Sequence, residues 1–85
     1  MAEIEVYTTP ICPYCLSAKD LLRRKGVAFL EINGAGEPQR RAEMIARANG
    51  RTTVPQIFVG DKHVGGCDDL YALEEAGELD RLLTT

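Results

Sequence analysis

The chain opens on an alternation of polar and apolar positions, Glu3-Ile4-Glu5-Val6, closed by Tyr7 and Thr8. That period of two predicts a β-strand over Glu3–Thr8. At Pro13 the period changes: Cys15, Ala18, Leu21 and Leu22 recur at three- and four-residue spacing and predict a helix over Pro13–Lys25, ended by Gly26. Val27–Ile32 predicts a second strand, leading into a Gly34-Ala35-Gly36 loop. Pro38–Asn49 predicts a second helix, with Met44, Ile45 and Ala48 at helical spacing and Gly50 as its stop. Gln56–Val59 and Lys62–Gly65, joined by Gly60-Asp61, predict a β-hairpin with a two-residue turn. Asp68 is expected to cap a helix carrying Leu70, Leu73 and Ala76, and Leu79–Leu83 to add a last helical turn or two.

The predicted order, β-α-β-α-β-β-α, belongs to the α/β class. A strand, helix and strand in succession favour a parallel pair through a right-handed crossover, and the hairpin adds an antiparallel pair. The expectation is a mixed four-stranded sheet with flanking helices, in one domain spanning residues 1–85, with no internal repeat or linker. A hydrophobic content of 45% is enough for folding, and a net charge of -3 argues against nucleic acid as a partner. No apolar run approaches the roughly 20 residues of a membrane span, and no charged-then-apolar signal segment opens the chain. A monomer in the cytoplasm is therefore expected, without a membrane partner. In that compartment a close cysteine pair points to catalysis or metal binding, and three cysteines fit a disulfide framework poorly.

Cys12-Pro13-Tyr14-Cys15 falls where the first strand hands over to the first helix. Amides of a first helical turn point outward unpaired and favour negative charge. Pro13 fits the first helical position, where a missing N–H costs nothing. Cys12 is thus expected as the attacking thiolate and Cys15, one turn further in, as the resolving thiol. The chain-entropy estimate for a four-residue loop gives roughly 2 kcal/mol, so a Cys12–Cys15 disulfide would be a weak staple and an easy one to exchange.

Two further motifs follow, Thr53-Val54-Pro55 and Gly65-Gly66-Cys67-Asp68-Asp69. A helix starting at Asp68 offers amides for a carboxylate and acidic side chains for an ammonium, and Gly65 and Gly66 allow close approach. Together with Cys12-Pro13-Tyr14-Cys15, in this order and at these separations, the motifs resemble those of a dithiol glutaredoxin of the short bacterial glutaredoxin 3 branch. The resemblance covers nearly the whole chain. A thioredoxin would carry Trp-Cys-Gly-Pro-Cys, and this chain has no Trp.

The resemblance implies a thioredoxin fold and a thiol-disulfide oxidoreductase acting through Cys12 and Cys15. It implies a cis-Pro55 whose neighbour Val54 offers backbone groups to the cysteine part of glutathione by strand-like pairing. The implied glutathione site is Tyr14, Thr53, Val54, Pro55, Gly66, Cys67 through its backbone, Asp68 and Asp69. Glutathione enters as co-substrate, with no metal and no tightly bound cofactor. The implied partners are glutathionylated or disulfide-containing proteins, ribonucleotide reductase or another reductase among them.

One position departs from the family pattern. Many glutaredoxins carry a lysine three residues before the first active-site cysteine, and here that residue is Thr9. Arg40, Arg41 or Arg51 is expected to supply the missing cation, with an arginine of the second helix favoured. Competing readings are a zinc site built from Cys12, Cys15, Cys67 and His63, an iron–sulfur cluster shared between two chains, and a redoxin served by a thioredoxin reductase. The zinc reading lacks two close cysteine pairs and needs His63 on the same side as Val64. Pro13 opposes the cluster, and the Gly66–Asp69 run opposes the last. Cys67 reads equally as a buried small hydrophobe or as an oxidisable thiol. Lys19, Asp20, Arg23, Arg24 and Lys25 read as a solvated helix face.

Overall fold

The alternating N-terminal segment forms β1 (Ile4–Thr8), which sits inside the sheet with Val6, Tyr7 and Thr8 all buried. The computed structural model describes residues 3–34 and 37–84, so Ala35 and Gly36 of the expected loop lie outside the described residues. After β1 come α1 (Pro13–Arg24), β2 (Leu30–Asn33), α2 (Pro38–Arg47), β3 (Gln56–Val59), β4 (Lys62–Gly65), α3 (Cys67–Glu75) and α4 (Leu79–Leu83). The strands form one mixed sheet in the order β2-β1-β3-β4, with β1 parallel to β2 and antiparallel to β3, and β3 antiparallel to β4. This is the α/β arrangement expected from the sequence.

Both faces of the sheet are covered, so the polar positions of β1 need partners. Ile4, Val6, Ile57 and Val59 pack with Ala18, Leu21 and Leu22 of α1, Leu70 of α3, and Leu79 and Leu83 of α4. The opposite face is smaller. There Tyr7 and Phe58 meet edge to face at 5.6 Å beneath Met44 and Ala48. Arg47 closes this second core: its guanidinium lies 4.2 Å from the Phe58 ring centroid and bonds Glu5 Oε1 at 2.8 Å and the Tyr7 hydroxyl at 2.9 Å. Glu5, polar by its place in the alternation, is thereby ion-paired beside a packed face.

Four expectations need correction. β2 begins at Leu30, three residues later than Val27. The cause is the end of α1, where Gly26 takes φ 73° and donates to Arg23 O while Val27 donates to Leu22 O at 3.4 Å. This double closure spends the Val27 amide on the helix end, and Val27 and Phe29 pack against the core as side chains only. The second helix stops at Arg47, with Asn49 at φ 57° as the left-handed residue and Gly50 N donating back to Ile45 O. α3 is not capped by Asp68. Gly66 is its N-cap residue, and Asp69, in the first turn, reaches back to accept the Gly66 N–H at 2.9 Å. The basic run on α1 is also less solvated than its composition suggests: Lys19 pairs with Glu31, and Lys25 with both Glu74 and Asp80.

Strand directions assemble the site. Tyr7, near the end of β1, pairs with Gln56 at the start of β3, and Gly65, ending β4, pairs with Ile57. The segments before α1, before β3 and before α3 therefore meet at one end of the sheet, and they carry the three motifs singled out above.

Candidate active site

Cys12 is the N-cap of α1, in extended conformation at φ -151° and ψ 101°, and Pro13 opens the helix behind it. Its Sγ accepts the Cys15 N–H at 3.1 Å, so a sulfur stands where a cap residue usually offers oxygen. Cys15 is 1% exposed against 9% for Cys12, with Ala18 and Leu22 on the same buried face of the helix. Burial, with the Cys12 sulfur beside it, pushes the Cys15 thiol up to about 12. One turn of helix thus separates a sulfur that receives an amide from a sulfur kept protonated.

Opposite Cys12, the Val54–Pro55 peptide bond is cis, and the Val54 carbonyl oxygen lies 3.9 Å from Cys12 Sγ, whose S–H donates to it. A groove of about 390 Å³ runs from there, lined by Tyr14, Arg51, Thr53, Val54, Pro55, Gly66, Cys67 and Asp68. Seven of the eight residues expected to bind glutathione therefore share one cleft. Tyr14 is exposed at its rim, 64% accessible.

Asp69 is the one that does not line the cleft. Its Oδ2 accepts from Gly66 N–H at 2.9 Å and from Arg51 Nη1 at 3.0 Å, which together hold its carboxyl below the usual carboxylate range. Gly65, at φ 121°, makes room for this: a Cβ there would stand 2.3 Å from Asp69 Oδ2. Asp68 is left as the carboxylate facing the cleft, with Arg51 bridging the segment before Thr53 to α3. Cys67 is buried; burial first, then the Asp68 charge, pushes its thiol up, which favours the buried-hydrophobe reading.

The three arginines separate by position. Arg40 pairs with Glu37 and Glu43, away from the thiols. Arg51 is committed to Asp69. Arg41 lines a small cavity of about 30 Å³ with Thr9, Gly34, Met44 and Val54, and its Nη1 donates to Thr52 O at 3.3 Å.

Gln56 is the residue that sequence reasoning missed, and its partner is His63, which that reasoning weighed only as a zinc ligand. Gln56 is fully buried, with Nε2 donating to Thr53 O at 3.0 Å and Thr53 Oγ1 at 3.2 Å, and Oε1 2.6 Å from His63 Nε2. His63 stacks on Phe58, on the sheet face opposite to Val64, which packs with the larger core. Burial, followed by the Arg51 charge, holds its imidazole below the ordinary value. Among the described residues no group of three or more His, Cys, Asp or Glu side chains is placed to hold a metal ion. The one available signal for Gln56 was a lone amide inside an otherwise apolar strand.

The family model described as Glutaredoxin matches residues 4–64. The chain belongs to the glutaredoxin family. It is 58% identical over 83 residues to glutaredoxin 3 of Escherichia coli K12, covering 98% of this chain and 99% of that protein. Among solved structures, glutaredoxin from Brucella melitensis aligns with a TM-score of 0.86 at 59% identity, covering 98% of this chain and 89% of the other. A buckwheat glutaredoxin–glutathione complex aligns with a TM-score of 0.86 at 32% identity, covering 98% of this chain and 77% of that one. Glutaredoxins are thiol-disulfide oxidoreductases that use glutathione as co-substrate, and the dithiol pair at the start of α1 is the group such chemistry needs.

Two outcomes follow from this geometry. Brief treatment of the reduced protein with iodoacetamide near neutral pH will alkylate Cys12 alone, read by mass spectrometry of the digest; prior labelling of Cys15 or Cys67 would contradict the division of roles. The folded-state pKa of Asp69 is lowered, so its contribution to stability is present above the unfolded carboxylate value of about 3.9 and disappears as pH falls through the lower folded value. Asp69→Asn will therefore lower the urea midpoint at pH 7 and converge with wild type toward about pH 2; a pH-independent gap would show that its charge is irrelevant.

Proposed function

We propose that this glutaredoxin reduces protein–glutathione mixed disulfides, and protein disulfides, with glutathione as the electron source. The observation that carries this reading is the single cleft that joins the Cys12 side, the Val54 backbone and the start of α3. Glutathione has a cysteinyl centre flanked by a γ-glutamyl end, with a carboxylate and an ammonium, and a glycine carboxylate. The cleft has matching chemistry for the first two. Val54 supports strand-like pairing with the cysteinyl backbone. The amides at the start of α3 suit the γ-glutamyl carboxylate, and Asp68 suits its ammonium. Tyr14 offers a flat apolar side along the peptide.

In the first step, Cys12 thiolate attacks the glutathione sulfur of the mixed disulfide. The Cys12–glutathione bond forms, the protein–glutathione bond breaks, and the protein cysteine leaves as thiolate and takes a proton from solvent. A second glutathione thiolate then attacks the bound glutathione sulfur, releasing glutathione disulfide and restoring Cys12. In the net exchange the incoming glutathione sulfur is oxidised and the protein cysteine is reduced, while the first glutathione sulfur passes from one disulfide to the next with no net change. For a protein disulfide, Cys12 forms a mixed disulfide with the protein and Cys15 displaces it, giving Cys12–Cys15, which two glutathiones reduce in turn. Electron delivery to a reductase uses this same dithiol route, and a reducing compartment such as the cytoplasm suits both.

The third end of the ligand is assigned to Arg41. It borders Thr9 and Val54, the side on which the glycine carboxylate would lie if the cysteinyl part pairs with Val54 and the γ-glutamyl part reaches α3. A guanidinium there replaces the charge that Thr9 lacks.

The test is steady-state reduction of a glutathionylated peptide. Cys12→Ser will abolish turnover, whereas Cys15→Ser will retain at least about a third of it, because release by glutathione needs only the first sulfur. Equal loss in both variants would contradict the monothiol step. Arg41→Ala will raise KM for the same substrate by roughly tenfold, the usual scale for one charge-assisted contact, with kcat little changed. An unchanged KM would remove Arg41 from the site.

A further inference from the structure

Gln56 takes no part in the chemistry above, yet it is a fully buried amide among Phe58, Tyr7 and other packed groups of β1 and β3. An amide in that position is destabilising unless every polar atom finds a partner. Here they do. The identity of the partners also fixes its orientation: Thr53 O can only accept, so the nitrogen of the Gln56 amide faces Thr53. Oε1 then faces His63, which must present an Nε2–H across the 2.6 Å contact. The His63 ring is held by stacking on Phe58 at 5.0 Å between centroids and 28° between planes. A chain of fixed direction thus runs from His63 through Gln56 to the Thr53 carbonyl.

The Thr53 carbonyl belongs to the same planar unit as the Val54 N–H. Val54–Pro55 is the cis bond, and the Thr53–Val54 peptide before it is trans. In a planar trans peptide C=O and N–H point in opposite directions. Drawing Thr53 O inward to Gln56 therefore turns the Val54 N–H outward. We infer that Gln56 is a positioning residue: by anchoring the Thr53 carbonyl it aims the Val54 N–H into the cleft for an incoming glutathionyl backbone, with His63 bracing it from behind. This rests on the glutathione reading given above. It assigns binding to a residue that touches no ligand, and leaves the nucleophile to the α1 cap.

Gln56→Met keeps length and bulk but cannot donate, and the experiment follows it with a glutathionylated peptide and with a peptide disulfide of the same sequence that lacks glutathione. The expected result is a rise of about tenfold in KM for the glutathionylated peptide, with kcat within about twofold and an unchanged rate of Cys12 alkylation by iodoacetamide. A role confined to stability would lower the melting temperature and leave KM of the folded enzyme where it was. His63→Phe, which preserves stacking on Phe58 and removes the donor, is expected to raise the same KM about threefold. It tests the same point if Gln56→Met does not fold. The double variant is expected to match Gln56→Met alone, since the residues act as one chain. If wild type does not prefer the glutathionylated peptide, the glutathione reading falls and this inference with it. If wild type does prefer it and Gln56→Met shows wild-type KM, this inference alone is overturned, and additive effects in the double variant would remove His63 from the chain.

Discussion

The bond from the Cys15 amide to the Cys12 sulfur does three things at once. It satisfies one of the orphan donors of α1, it places a partial positive charge on the sulfur that must become an anion, and it fixes the helix so that Cys15 turns into the core. These are coupled because a residue and the third one after it lie on nearly the same side of a helix. Moving the start of α1 by one residue would point Cys15 elsewhere and take the cap away from Cys12. Pro13 guards against this shift, since it fits the first helical position and removes a donor that could compete for the cap.

That cap would be a local curiosity without the sheet. β1 and β3 run antiparallel, so the exit of one lies beside the entry of the other, and strand pairing brings the cis Val54–Pro55 segment up against Cys12. β4 returns α3 to the same end. Its seating there is controlled by Asp69, which ties Gly66 to Arg51 and so joins the α3 start to the segment before Thr53. The Arg51–Asp69 pair is about half exposed and contributes little to overall stability as a salt bridge. Its consequence is spatial: two walls of the cleft share one carboxylate.

The elements were largely legible in sequence because their signals are local. Alternation marked β1, helical spacing marked α1 and α2, and Gly60-Asp61 marked the hairpin. The misreadings came where one element's end is completed by another group. Val27 looks like strand, but its amide closes α1. Asp68 looks like a cap, but the helix begins at Cys67 with Gly66 as its N-cap residue, and the Asp69 side chain accepts the Gly66 N–H. The motif residues of the cleft were legible as a set. Which arginine stands near Thr9 was not, because Arg40 and Arg41 are adjacent in sequence and about 100° apart around a helix. Gln56 was hidden for a related reason: a strand position reveals burial, whereas the partners of a buried amide come from a loop and from the neighbouring strand.

The pair's asymmetry also bears on which route follows the first attack. Burial is the largest cause of the raised Cys15 thiol, and the hydrogen bond and charge of Cys12 add to it. Once Cys12 is tied in a mixed disulfide its charge is gone, so only the smaller contributions relax while the burial stays. On the reaction proposed above, Cys15 keeps that burial inside a mixed disulfide, whereas a glutathione thiol from solution is free of it. On that same reaction, this packing favours release by glutathione and keeps the Cys12–Cys15 disulfide available for partner disulfides.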